Sequence, residues 1–153
     1  MAINKDFADL LHLLNSVRAK YLIVGAYAVI FYTEPRYTKD IDIWIEPTPE
    51  NAQKVYQALQ RFGAPVKNLS VKVLTNPNMV YQIGMAPNRI DILMGLGRFP
   101  FDRAWKGKRA SRYGKERVYF LSQKDLVRVK RETGRPQDQL DVQALSRATR
   151  NPR

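Results

Sequence analysis
The sequence predicts an α+β fold: one domain with a mixed β-sheet and helices packed around it. Three observations carry this. The segment Asp40–Glu46 alternates strictly, with isoleucine at every second position, the mark of a strand with two unlike faces. Segments with helical apolar spacing lie on both sides of it. No internal repeat, low-complexity stretch or Gly/Pro/Ser-rich linker divides the 153 residues, a length that fits one ordinary domain. Such a chain buries roughly 68–70% of its unfolded surface and needs no disulfide or zinc for a core.

Each element follows from local pattern. Phe7, Leu10, Leu11, Leu14 and Val17 repeat at helical spacing, so Asn4 to Ala19 reads as an amphipathic helix. Tyr21-Leu22-Ile23-Val24, stopped by Gly25, suits a buried strand, and Ala26 to Tyr32 suits a helix apolar on all sides. In the alternating strand Ile41, Ile43 and Ile45 take one face, and Asp40, Asp42 and Trp44 the other. Thr48-Pro49-Glu50 supplies an N-cap, a proline at the first helical position and an acid in the first turn. That helix runs to Phe62 and ends at Gly63. Val71–Leu74 and Val80–Ile83 read as strands joined through Asn76, Pro77 and Asn78. Arg89–Leu93 is another strand, closed by Gly95 and Gly97. Phe99–Arg117 shows no clear period, and Arg117–Leu121 reads as a last edge strand. Ser122 with Asp125 opens a helix that ends at Gly134, and Pro136 opens a final helix to about Arg147.

Composition narrows the function. There is no cysteine, which excludes disulfides, zinc ribbons and thiol catalysis. No stretch approaches the ~18 apolar residues of a membrane span, and the polar N-terminus has no signal pattern, so a soluble, cytoplasmic protein with no membrane partner is expected. Twenty-six Lys and Arg face 14 Asp and Glu, for a net charge of +12 and a pI near 10.1. Sixteen of the basic residues, against six acidic ones, lie from Arg98 onward. Such a field favours nucleotides or nucleic acid as partners. Arg103, Lys106, Lys108, Arg109 and Arg112, interleaved with Trp105 and Tyr113, form a candidate RNA-binding surface. A solvated basic surface is the plainer reading of the same residues. His12 lies off the apolar stripe without partners nearby in sequence and is assigned no role.

The chemistry rests on an ordered set: Gly25-Ala26 after a strand, Asp40-Ile41-Asp42 within a strand, and Asp91 within a later strand. Carboxylates at i and i+2 of a strand share a face, and like charges so placed are costly without a cation between them. Few carboxylates with room for phosphate and water suit Mg2+ or Mn2+. If a neighbouring strand brings Asp91 alongside, the three have the donor set of a site for in-line phosphoryl displacement. Gly25 at a strand-to-helix turn lets backbone N–H groups approach a triphosphate. Taken singly, Asp-x-Asp is usually a solvated face and a glycine after a strand merely a turn; the ordered combination is what is informative.

The segment VGAYAVIFYTEPRYTKDIDIWIE resembles the signature of the DNA polymerase β-type nucleotidyltransferase superfamily. More narrowly, it is similar to small bacterial nucleotidyltransferase-like proteins related to abortive-infection toxins and to lincosamide nucleotidyltransferases. The tail DLVRVKRETGRPQDQLDVQAL resembles the closing helices of that group. The resemblance implies residues 1–97 as a catalytic core and 98–153 as a basic segment and closing helices of one nucleotidyltransferase-like domain. It implies Asp40 and Asp42 as paired metal ligands, Asp91 as the third carboxylate and a candidate general base, and Gly25 and Ala26 beside the phosphates. The superfamily usually has Gly or Ser where Ala26 stands, so one hydroxyl donor is missing while the backbone donors remain.

Arg36, Thr38 and Lys39 precede the metal strand and are candidates for phosphate contact, or for a solvated loop. Lys130 and Arg135 resemble basic positions over the nucleotide, although a charged helix face explains either alone. Trp44 suits base stacking or core packing equally. The implied reaction is metal-dependent transfer of a nucleotidyl group from a nucleoside triphosphate to an acceptor hydroxyl. The basic charge favours RNA or tRNA as acceptor and disfavours an aminoglycoside; a lincosamide or a protein hydroxyl stays open. The alternatives are a non-catalytic module of this fold binding RNA or a protein partner, and a toxin–antitoxin component that modifies a cognate protein.

Overall fold
The computed structural model describes residues 3–33, 40–85 and 88–150 of the chain. Asn4 caps α1 (Lys5–Ser16) by accepting from the amides of Asp6 and Phe7, and the stripe Phe7, Leu10, Leu11 and Leu14 is buried. The helix stops short of Ala19 because the chain turns through Arg18, which has a positive φ of 59°. β1 (Tyr21–Val24) is buried along its length and runs straight into α2 (Gly25–Tyr32). β2 (Asp40–Ile45) places its three isoleucines in the core as the alternation requires. Trp44, on the opposite face, is buried as well, edge-on to Phe99 and Phe101. Its role is core packing, with no free face for a base.

α3 (Pro49–Phe62) starts at Thr48, whose side chain accepts from the Asn51 amide, and ends at Gly63 in the left-handed conformation. The expected strand Val71–Leu74 does not form. A single 3-10 turn, Val73–Thr75, takes its place. The Ser70 hydroxyl accepts from the Val73 amide and the Thr75 hydroxyl donates to the Lys72 carbonyl, local bonds that compete with a sheet ladder. β3 (Val80–Ile83) pairs instead with β4 (Arg89–Leu93), antiparallel.

The aperiodic segment Phe99–Arg117 is more regular than its sequence suggests. It holds α4 (Phe101–Lys106) and β5 (Arg109–Tyr113), joined through Gly114 to β6 (Glu116–Phe120). β6 is therefore interior, between β1 and β5, and β5 is the edge. β5 was hidden because only Tyr113 in it is buried; a polar edge strand has no apolar alternation to read. α5 (Gln123–Thr133) starts at its Ser122 cap and stops at left-handed Gly134, and α6 (Pro136–Arg150) follows.

The six strands form one mixed sheet in the order β3-β4-β2-β1-β6-β5. β2 pairs antiparallel with β1 and parallel with β4, and β1 pairs parallel with β6. One face carries Ile23, Ile41, Ile43, Ile90, Ile92 and Phe120, and α1 and α3 pack together on this side. The other face carries Asp42, Asp91, Trp44 and Leu93; α4 covers its Trp44 end, and α5 and α6 close over a cavity at its Asp42 end. Among the described residues no helix is long and apolar enough to cross a membrane.

Candidate active site
The parallel pairing of β2 and β4 sets Asp42 directly beside Asp91, and Asp40 beside Arg89, all four on one face. The carboxylates that the sequence separates widely are thus neighbours, through register alone. Burial above all, then the negative charge of Asp91 and of Asp40, pushes the Asp42 carboxyl up to about 7, against the opposing pull of Lys130.

Gly25 lies against Asp42. A Cβ built there would overlap the Asp42 carboxylate, and the φ of +66° is one that other residues adopt at a cost. The turn from β1 into α2 therefore needs glycine on two counts. It brings the first backbone amides of α2 to the rim of a cavity of about 360 Å3 that Gly25, Ala26 and Asp42 line on the sheet side. Leu93, Leu96, Leu126 and Val129 give the cavity an apolar wall, and Lys130, Thr133, Arg135, Gln137, Asp138 and Asp141 close it. Asp91 adjoins this cavity through Asp42 rather than lining it, and Asp40 lies one step further along the sheet face.

Lys130 is held more tightly than the sequence indicates. Its Nζ lies 3.3 Å from Asp138 Oδ1 and 3.2 Å from Asp141 Oδ2, all three side chains being nearly buried. Asp138 Oδ2 also accepts from the Thr133 hydroxyl at 2.7 Å and from Arg135 Nε at 2.9 Å. Burial opposes its charge, but the bonds from Arg135, Thr133 and Lys130 together hold its carboxyl well below the usual range. Lys130 thus lines the cavity as the centre of an ion-pair network. Asp138 and Asp141 were missed in the sequence. Their i, i+3 spacing on a helix, across a tight turn from Lys130, is the signal that would have found them.

Arg89 was missed too. Its Nη2 lies 3.0 Å from Asp40 Oδ2 and its Nε 3.2 Å from Asp91 Oδ1. The i, i+2 spacing of Arg89 and Asp91 on one strand places them on one face.

Arg36, Thr38 and Lys39 lie outside the described residues. The basic segment after Arg98 is present but arranged differently from expectation. Arg103 sits over the Phe99 ring, Lys108 over Trp105 at 4.2 Å and Tyr119 at 5.3 Å, and Arg109 over Phe31 at 5.5 Å. Lys106 and Arg112 are exposed, with Arg112 Nη1 donating to the Lys115 carbonyl. The two-residue period of β5 divides them: Arg109 shares the face of Phe120, whereas Arg112 and Lys108 share that of Arg117 and Tyr119. Neither aromatic offers a stacking face. Tyr113 is buried and its hydroxyl accepts from the Asn4 amide. Trp105 is stacked on Phe101 and sits beneath Lys20 and Lys108.

The carboxylate face fits a divalent ion in donor chemistry: oxygen ligands only, two of them adjacent by register, beside a glycine turn at a helix start. The side chains are not gathered on a single point, since among the described residues no group of three acidic or histidine side chains is disposed to hold an ion.

No protein-family model matches the chain, and no curated protein matches it by sequence. Among solved structures it is similar to the lincosamide antibiotic adenylyltransferase LnuA in its lincomycin-bound form. The match has a TM-score of 0.61 at 16% identity and covers 95% of this chain and 98% of that one. At that identity the likeness is one of fold, and the fold is one that a nucleotidyltransferase also has.

Proposed function
We propose that the protein is a metal-dependent nucleotidyltransferase. An acceptor hydroxyl attacks the α-phosphorus of a nucleoside triphosphate, a P–O bond forms to the acceptor, and the bond to the departing pyrophosphate breaks. The observation that carries this reading is the in-register pair Asp42 and Asp91 on β2 and β4, set against the Gly25–Ala26 turn at the mouth of a cavity. Asp40, Asp42 and Asp91 would hold Mg2+ or Mn2+, which when bound supplies positive charge to the phosphates.

The chain's own residues supply the rest. Gly25 and Ala26 present amides at the positive end of α2, where phosphate oxygens are favoured. The wall of Leu93, Leu96, Leu126 and Val129 seats an apolar part of the nucleotide and excludes water. The Lys130–Asp138–Asp141 network fixes α5 against α6 and holds Lys130 Nζ at the wall. Asp91, beside the cavity, is the candidate base for the acceptor's proton. Arg36, Thr38 and Lys39 are proposed phosphate contacts. The basic surface favours an RNA acceptor, tRNA included, on electrostatic grounds. A second reading, a non-catalytic module of the same fold that binds RNA or a protein, draws support from the carboxylates being tied to Arg89 rather than gathered for an ion.

Two measurements test the proposal. Incubation with each labelled triphosphate, Mg2+ or Mn2+, and total RNA or lysate is expected to label an acceptor. Thermal melts do not need the acceptor. Triphosphate with Mg2+ at a hundredfold excess over Kd is expected to stabilise the protein by about 2.7 kcal/mol, a rise of roughly 5–10 °C for a domain of this size. No shift with any of the four triphosphates at millimolar concentration would leave only the non-catalytic reading.

A further inference from the structure
β4 opens with Arg89, and the strand period sets its side chain on the face of Asp91, opposite Asp40 in the register. The guanidinium uses both neighbours. Nε faces Asp91 Oδ1 at 3.2 Å, and Nη2 donates to Asp91 Oδ2 at 3.3 Å while lying 3.0 Å from Asp40 Oδ2. The guanidinium bridges two carboxylates, hydrogen-bonded to Asp91 Oδ2 and within ion-pair range of Asp91 Oδ1 and Asp40 Oδ2. Its nitrogens lie 3.0–3.3 Å from both oxygens of Asp91 and one of Asp40. A divalent ion needs such oxygens at about 2.0–2.1 Å, so ion and guanidinium compete for the same lone pairs. The Arg89 side chain is 38% exposed, against 23% for Asp40 and 12% for Asp91. It can therefore swing into solvent while the carboxylates stay in place.

We infer that Arg89 is the resident counter-cation of the carboxylate face: it holds Asp40 and Asp91 turned towards itself until a divalent ion displaces it. The inference rests on the transferase reading and adds a regulatory consequence. Metal affinity in the free protein is set by a competition that Arg89 opposes. A triphosphate that captures the displaced guanidinium removes the competitor, so metal and triphosphate bind with positive coupling, each raising the affinity of the other. The free protein holds metal weakly, and the metal arrives with the nucleotide.

The test is Mn2+ titration of the full chain, followed by calorimetry and by the loss of the free-ion electron paramagnetic resonance signal, with and without a non-hydrolysable triphosphate. Without nucleotide, Arg89→Gln and Arg89→Ala are expected to bind Mn2+ about tenfold more tightly than the wild type, a competitor having been removed. Arg89→Lys, which keeps the charge and loses the guanidinium that spans the two carboxylates, is expected to fall between and guards against a folding defect in the other two. Wild-type affinity for Mn2+ should rise several-fold with the triphosphate present, and the variants should show less of this gain. Equal or weaker Mn2+ binding by folded variants overturns the inference and assigns Arg89 to orienting Asp91; the transferase reading then survives provided the wild type binds Mn2+ with triphosphate. Absence of Mn2+ binding in every protein, with or without triphosphate, overturns both.

Discussion
Asp42 sits where its charge is most opposed, with burial first and Asp91 second among the causes, and its carboxyl is pushed up to about 7. In the unfolded chain an aspartate titrates near ~3.9. Between these values the metal-free folded protein binds the extra proton, so its stability falls as pH rises through that window. The loss is complete above about 7 and absent below about 4. Asp42→Asn keeps the side-chain shape and removes the effect. The metal-free variant is expected to melt at or above the wild type at pH 8, with the difference shrinking by pH 5. Melts of both proteins across this range check it, and a wild type that gains stability from Asp42 on raising the pH would contradict the account. The same variant should show little shift with Mg2+ and triphosphate, whereas aspartates of a merely solvated face predict no nucleotide shift in either protein.

At the scale of elements, the site depends on a turn and a register. Gly25 couples them, because its backbone packs where the Asp42 carboxylate lies. Gly25→Ala is expected to cost about 1–2 kcal/mol from the left-handed backbone alone, and more from overlap with Asp42. Gly63 offers a control: its φ is also positive, at +90°, but a Cβ there would meet nothing within 4 Å. Urea unfolding should show Gly25→Ala to be clearly more destabilising than Gly63→Ala. Adding Asp42→Ala should recover part of the excess, a coupling that a double-mutant cycle measures. Equal costs at the two glycines would mean that the carboxylate moves aside freely. The elements were largely legible in the sequence where a local device marks them. Thr48 and Ser122 cap helices, Gly63 and Gly134 stop them, and the isoleucine alternation sets the faces of β2. Legibility failed at 71–74, where hydroxyl-to-backbone bonds favour a turn over a β-rich composition, and at β5, whose residues carry almost no apolar pattern.

For the molecule as a whole, charge is segregated. The chain carries +12, yet the carboxylate face and the adjoining wall gather Asp40, Asp42, Asp91, Asp138 and Asp141 around Arg89, Lys130 and Arg135. Among the described residues, exposed basic side chains such as Lys106 and Arg112 lie outside the cleft, where they can attract a polyanion without competing for the site. Because β5 divides the basic residues between two faces, an RNA lying along the sheet edge is expected to contact Lys108 and Arg112 together and Arg109 separately. For Lys108→Glu with Arg112→Glu, the log–log salt slope of tRNA affinity should fall by about 1.4–1.8, two phosphate contacts at 0.7–0.9 each. Arg109→Glu alone should change it by no more than about one contact's worth. An unchanged slope in the double variant removes this face from the proposed surface. No aromatic contribution is expected from Tyr113 or Trp105, since both rings are taken up in packing.

The sequence by itself determined the α+β class, both ends of α3 and α5, the two faces of β2 and the candidacy of Asp40, Asp42 and Asp91. These depend on caps, glycines and a period of two, which act over a few neighbouring residues. Only the tertiary structure decided that Asp42 pairs with Asp91, that β6 is interior, that Trp44 is core, and that Arg89 and the Asp138–Asp141 pair hold the charges around the cleft. Strand neighbours and ion-pair partners are chosen by the burial of whole faces against one another, which no short stretch of chain encodes on its own.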